Sequence, residues 1–345
     1  MKITSAFQFR LPAILALTFL AAGTLSAVAQ APVQMTVGLS TTLATGGPVN
    51  AMYVKFKEEV ESRSKGAMIV RLAEGSVLGA PDARLNQVRR GVLELTDAAD
   101  GNYSSIYSDI QVFSTPFLFP TEQIAWQVFD GPLGTRIAED IRKKTGIRVL
   151  GWWESGGFKH FSANKAIRTP EDMRGLKIRV ISHIFGLPVI AMGGSPTPIP
   201  FPELYTSLRT GVVDGQDNSV GTFNRQTLYE VQKFLMLSGH VYAFGPFGIS
   251  DIFFSKLSPE NQKIIEESAK VAIAHNRQVS REAEASEIQK AKSQGVDVIV
   301  FTPEMKAAFA KVTQPSTIDW LRKNIATPAL VDEVLATVDA AAKSK

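Results

Sequence analysis

Between Met35 and Thr96 the chain switches repeatedly between strand-like and helical patterning. A strand-like run from Met35 to Ser40 leads through Thr45-Gly46-Gly47-Pro48 into Val49, Met52, Phe56 and Val60 at helical spacing, with Pro48 suited to a first helical turn. A strand around Met68 to Leu72, a helix near Pro81 to Arg90 and a strand from Val92 to Thr96 follow. Strand, helix, strand, helix, strand confines the chain to an α/β fold on a parallel sheet, because parallel strands need crossover helices. Ligands of such sheets gather beyond the carboxyl ends of the strands, here near Ser40 and near Thr96 to Asn102.

A second series runs from Ile147 to Val213. It predicts an aromatic-rich strand pair, Gly151 to Ser155 and Phe158 to Ser162, then a helix signal at Thr169-Pro170-Glu171-Asp172 and a strand from Leu176 to Val180. Helices near His183 to Met192 and Pro202 to Arg209 lead to a turn at Gly215-Gln216-Asp217-Asn218. The two series predict two similar half-sheets, joined by the Pro-bracketed crossing Thr115 to Pro120, and 345 residues suit about two domains. The longest periodic element starts at Ser258-Pro259-Glu260 and reaches about Gln294, with Ile264, Ile265, Ser268, Val271, Ala272, His275, Val279 and Ala283 along one face. At 1.5 Å per residue it spans about 50 Å, enough to bridge both halves. Thr302-Pro303-Glu304 and Thr327-Pro328 start two further helices.

The first residues follow a different logic. Lys2 and Arg10, an apolar run from Leu11 to Ala22 and the small-x-small triplet Ala27-Val28-Ala29 predict a secretory signal peptide over residues 1–29. The apolar run is shorter than the ~20 residues of a membrane span. The formal net charge of +4 falls further when Lys2 and Arg10 are removed, and no basic stripe remains, so a nucleic-acid partner is not expected.

Enzyme chemistry finds little support. The chain has no Cys, which removes thiol catalysis, disulfides and thiolate metal sites. G-x-S-x-G, H-E-x-x-H, G-x-x-x-x-G-K-[ST] and G-x-G-x-x-G are all absent, and His160, His183, His240 and His275 are scattered. Asp97, Asp100 and Asp109 read as turn caps. We therefore expect no catalytic residue, no metal and no cofactor.

A binding site needs a fixed charge, an aromatic wall and a few amides or hydroxyls where two lobes meet. Alternation in Leu176 to Val180 puts Lys177 and Arg179 on one face, with Arg179 at the carboxyl end of the strand. Its planar fork suits a carboxylate, and the other reading is a solvated strand-end arginine. Phe201, in a proline-stiffened loop, is a pocket wall or a core aromatic at a helix start; Asn218 is a pocket amide or an ordinary turn residue. Trp152, Trp153 and Phe158 read as inter-lobe packing, and Trp153 is kept with Asn102 among the candidate ligand contacts.

Five segments occur in a familiar order: Gly157-Phe158-Lys159-His160-Phe161, Thr169 to Val180, Gly194-Ser195-Pro196-Thr197-Pro198, Glu203-Leu204-Tyr205 and Val213 to Asn218. Together they resemble the periplasmic solute-binding proteins of tripartite ATP-independent periplasmic (TRAP) transporters, the DctP-like family, over essentially the whole chain after residue 29. The resemblance implies a two-lobed periplasmic binding protein fold with a long hinge-spanning helix. Lobe I would comprise 30–156 and about 244–284, and lobe II 157–243 and about 285–345. It implies capture of a small organic acid by hinge closure and delivery to integral membrane transporter subunits, in the periplasm and without catalysis. By position, Arg179 matches the family's carboxylate-pairing arginine, Phe201 a pocket aromatic, Asn218 a pocket amide and Ser40 the polar position after the first strand. Lys159 stands where many members carry a second arginine. An exported enzyme acting on a small acid, or a binding protein feeding a signalling receptor, are the alternatives.

Overall fold

The computed structural model describes residues 1–2 and 31–344, and all the elements below belong to the compact unit that begins at Pro32. The expected signal peptide lies, apart from its first two residues, outside the described residues. Among the described residues no helix is long and apolar enough to cross a membrane.

The first series forms β1 (Val33–Gly38), α1 (Gly47–Arg63), β2 (Met68–Ala73), α2 (Pro81–Arg89), β3 (Leu95–Thr96) and the single turn α3 (Asp100–Tyr103). Helices α4 (Glu122–Asp130) and α5 (Pro132–Thr145) lead to β4 (Ile147–Ala163). Then come β5 (Lys177–Val180), α6 (His183–Ala191), β6 (Ser195–Pro198), α7 (Leu204–Arg209), β7 (Gly215–Asn218) and α8 (Val220–Arg225). The chain ends with β8 (Phe234–Ser250), α9 (Asp251–Phe254), α10 (Pro259–Ser293), β9 (Asp297–Val300), α11 (Pro303–Asn324) and α12 (Ala329–Lys343).

The nine strands of the described residues form one sheet, in the order β2-β1-β3-β8-β4-β7-β5-β6, with β9 beside β8. Parallel pairing holds β1 to β2 and β3 at one side, and β5 to β6 and β7 at the other. Between these half-sheets β4 and β8 run antiparallel, from Ile147 opposite Ser250 to Ala163 opposite Phe234. The carboxyl ends of the two parallel sets therefore flank a central ribbon, the place where crevices form in open α/β sheets. Three apolar clusters hold the layers. Met35, Val37, Phe56, Phe247 and Ile265 sit under the first half-sheet; Leu204, Leu208, Phe223 and Leu235 under the second. The largest is rich in aromatics, with Phe129 stacked on Trp152 at 5.1 Å and Phe244 at 4.6 Å from Phe129.

Several expectations change. The strand expected from Val92 is only Leu95–Thr96, because Val92 lies in an exposed turn. The expected pair Gly151 to Ser155 and Phe158 to Ser162 is one 17-residue strand, bulged between Glu154 and Phe158. Gly156 and Gly157 make that bulge with φ of 79° and 83°, a region open to glycine, and a Cβ on Gly157 would lie 2.7 Å from Arg281 Nη2. The helix signal at Thr169 opens only a 3-10 turn, Pro170–Met173. Ser195–Pro198 is an edge strand, where proline's missing N–H is tolerated, and Gly215–Asn218 is a strand paired with β4 rather than a turn. The 35-residue α10 is continuous, but its buried stripe is Ile265, Ser268, Ala269, Ala272, Ile273, Asn276 and Ser280, with His275 and Val279 only half-buried. At the end of the chain α12 packs on α4, and Thr327 donates to both Asp109 carboxylate oxygens at 2.8 Å.

Candidate functional site

The carboxyl ends of β1 and β5, the turn of α3 and the middle of β4 line a cavity of about 300 Å³. That volume falls within the usual range for small-ligand pockets, ~300–1,000 Å³. All seven residues singled out from the sequence, Ser40, Asn102, Trp153, Lys159, Arg179, Phe201 and Asn218, are on its wall. Where they differ is in what each side chain has left to offer.

Arg179 is 2% exposed, so the reading as a solvated strand-end arginine is overturned: β5 sits between β7 and β6, which buries its inner face. Its Nε donates to the Ile199 carbonyl at 2.9 Å, while Nη2 finds no acceptor among the described residues. Burial pushes its pKa down to about 10, with Asp217 opposing. A buried guanidinium nitrogen without a partner is costly unless a ligand oxygen takes it.

Lys159 is differently placed. Its Nζ lies 3.6 Å from Asp217 Oδ2 and 3.8 Å above the Phe185 ring. Asp217 is fully enclosed. Burial alone would raise its pKa, but Lys159, a hydrogen bond from His240 and Arg179 outweigh this and hold it well below the usual carboxylate range. His240 stacks on Phe161 at 3.9 Å and contacts Asp217 Oδ2 at 3.3 Å, and burial lowers its own pKa despite Asp217. Neighbouring His160 accepts from Gly239 N–H at 3.0 Å, and burial, with His240 and Lys306 adding, pushes it down to about 3.

The hydroxyl and amide candidates are largely engaged. Ser40 Oγ donates to Asp97 Oδ1 at 2.9 Å and accepts from Arg84 Nη2 at 2.7 Å, and Arg84 pairs with Asp97 at 2.6 Å. Asn102 caps α3 through Ala99 N–H at 3.2 Å and donates to Asp82 at 3.0 Å. Asn218 donates to Gln216, and Trp153 donates its indole N–H to the Pro246 carbonyl at 3.0 Å. Phe201 is half-buried against the second half-sheet's core and also lines the cavity. Sequence reasoning missed Asp82, Asp100 and Arg225 as cavity residues and Asp217 as the charge behind them. Only Asp100 carried a signal, lying in the strand-end segment already marked for ligands. Asp109, grouped with it by sequence, belongs instead to the α12 contact. Among the described residues no group of His, Asp or Glu is arranged to hold a metal ion.

A cleft between two α/β half-sheets, walled by a buried guanidinium that keeps an unpaired nitrogen, is the architecture of the two-lobed binding proteins. The chain belongs to the bacterial extracellular solute-binding proteins, family 7 (DctP), which residues 39–324 match. It is 30% identical, over 81% of its length and 86% of the relative's, to the 2,3-diketo-L-gulonate-binding periplasmic protein YiaO of Escherichia coli strain K12. The sugar acid binding protein DctPAm of Advenella mimigardefordensis, solved with galactonate, superposes with a TM-score of 0.84 at 29% identity, covering 90% of this chain and 99% of that one. A TRAP periplasmic solute-binding protein of Sulfitobacter sp. NAS-14.1, solved with β-D-galacturonate, gives 0.82 at 27% identity, covering 88% and 99%.

Proposed function

We propose that this chain is the extracytoplasmic receptor of a TRAP transporter, that it captures a small organic acid in the cavity by closing its lobes, and that it hands the acid to integral membrane subunits. The acid-binding relatives support the substrate class, and the single observation that carries it is the buried Arg179 with Nη2 unsatisfied. Residues 1–29 act as the export signal and are removed in the periplasm. Lobe I takes 30–156 and about 244–284, lobe II 157–243 and about 285–345, although α12 packs on α4 of the first lobe. The hinge then lies in β4, β8 and α10.

In this reading the ligand carboxylate takes the free donors of Arg179, Phe201 and Trp153 wall the ligand apolarly, and Asn218, Ser40 and Asn102 shape the polar rim. Lys159 acts by holding Asp217 in place as well as by its own charge. Closure gains its free energy from an ion pair made only when water is excluded, which is the differential affinity a two-state receptor requires. Nothing is turned over, so a bound acid is recovered unchanged. Arg179→Ala is expected to abolish detectable binding by calorimetry while leaving the circular dichroism spectrum and unfolding cooperativity intact. Undiminished affinity in that variant removes Arg179 from the site and with it the carboxylate reading.

A further inference from the structure

Three cations line the cavity, and two of them are already balanced. Lys159 faces Asp217 at 3.6 Å, and Arg225 pairs with Glu287 at 3.3 Å, a carboxylate that also accepts from Asn224 at 2.6 Å. Of the three, only Arg179 has a fully buried donor without a hydrogen-bond partner among the described residues. The carboxylates on the wall are distributed differently. Asp97 is neutralised by Arg84 at 2.6 Å, whereas Asp82 and Asp100 form no ion pair among the described residues. Asp82 accepts from Asn102 at 3.0 Å and Asp100 from Ser114 at 2.8 Å, so their hydrogen-bond donors are neutral; burial raises the pKa of Asp100, with nearby Lys159 opposing. Both come from the first half-sheet's helices, α2 and α3, while Arg179 comes from the second half-sheet. Thr41, Thr45 and Asn50 add neutral polar groups beside them.

We propose that this cavity selects a hydroxylated monocarboxylate, an acid of the aldonate type, and rejects dicarboxylates. The inference rests on the receptor reading of the same site. One carboxylate has one uncompensated cation to meet. A second carboxylate at the far end of the ligand would meet Asp82 and Asp100, and like charges in a water-poor cleft repel strongly. Hydroxyl groups there do the opposite, because they donate and carboxylate oxygens accept, and charge-assisted hydrogen bonds are the stronger kind. The remaining wall, with Trp153, Phe201 and Val49, suits a carbon chain.

The test is titration calorimetry on protein freed of co-purified ligand, with four- to six-carbon aldonates, the aldarates that differ from them only by a second terminal carboxylate, succinate, and the neutral polyol galactitol. At least one aldonate is expected to bind, with its aldarate counterpart and succinate at least tenfold weaker. Neutralising the acidic wall in Asp82→Asn/Asp100→Asn should narrow that gap at least threefold, since Asn keeps the size and the acceptor oxygen but drops the charge. An aldarate or succinate binding as tightly as every aldonate overturns the selectivity while leaving the organic-acid receptor standing. Binding of galactitol alone overturns both. No binding by any aldonate, or a gap unchanged in the double variant, overturns the proposal as well.

Discussion

Lys159 and Arg179 bring the same charge to the same cavity but not the same availability. Asp217 sits 3.6 Å from the lysine, and the arginine keeps an unused nitrogen. Behind them His160 and His240 are buried and held neutral, which ties stability to pH. Below about 6.5 the unfolded chain takes up protons that the folded His160, at about 3, refuses, so stability is intact above pH 6.5 and is lost as pH falls toward 3. Asp217, depressed by its cations, adds a loss in the same direction at still lower pH. Urea midpoints should fall from pH 7 to pH 4, and His160→Asn, whose carbonyl can still accept from Gly239, should flatten the curve by at most ~1.4 kcal/mol per pH unit between pH 4 and 6. An unchanged slope would show that His160 titrates normally. At this scale the sequence placed Arg179 at the end of a strand but left open whether it is solvated or buried; pairing with β6 and β7 buries it. Charge pairing was not legible: nothing in Lys159 or Arg225 announces Asp217 or Glu287, which lie 58 and 62 residues away along the chain and meet them only in the fold.

Glu154 fastens the central ribbon to α10. Glu154 is fully buried; its N–H donates to Asn276 Oδ1 at 2.9 Å, its C=O accepts from Asn276 Nδ2 at 3.0 Å, and its carboxylate takes Trp126 at 3.1 Å, the Tyr242 hydroxyl and Arg281 at 2.7 Å. Arg281 also reaches Glu122 at 2.8 Å, so the helix, the strand and α4 share one ionic knot. Removing one partner of a buried pair leaves the other charge uncompensated, typically at a cost of ~3–5 kcal/mol. Arg281→Met is expected to lose about that much in denaturant unfolding, and a loss below ~1 kcal/mol would mean that Trp126 and Tyr242 suffice for Glu154. The long helix was legible from its periodicity, its register only to within one position. β7 was misread because Gly-Gln-Asp-Asn has turn composition and pairing with β4 overrides it. β8 was not read at all, since Phe234 to Ser250 is buried on both faces and shows no alternation.

Taken whole, the molecule is two half-sheets sharing three crossings, β4, β8 and α10. Ligand-driven closure should therefore shrink the radius of gyration measured by small-angle scattering in the native protein and leave Arg179→Ala unchanged. At a hundred times its Kd the same ligand adds ~2.7 kcal/mol, visible as a raised Tm. Scattering curves identical with and without a tight ligand would rule out hinge closure. The sheet order has a further consequence for how the chain is made. β3 is completed on its open side only by β8, with Leu95 opposite Ile249. During synthesis or release that edge stays unpaired until some 150 further residues have emerged, and an unpaired edge is a template for wrong partners. β3 is two residues long, the shortest strand among the described residues, which leaves a waiting edge with little for another chain to grip.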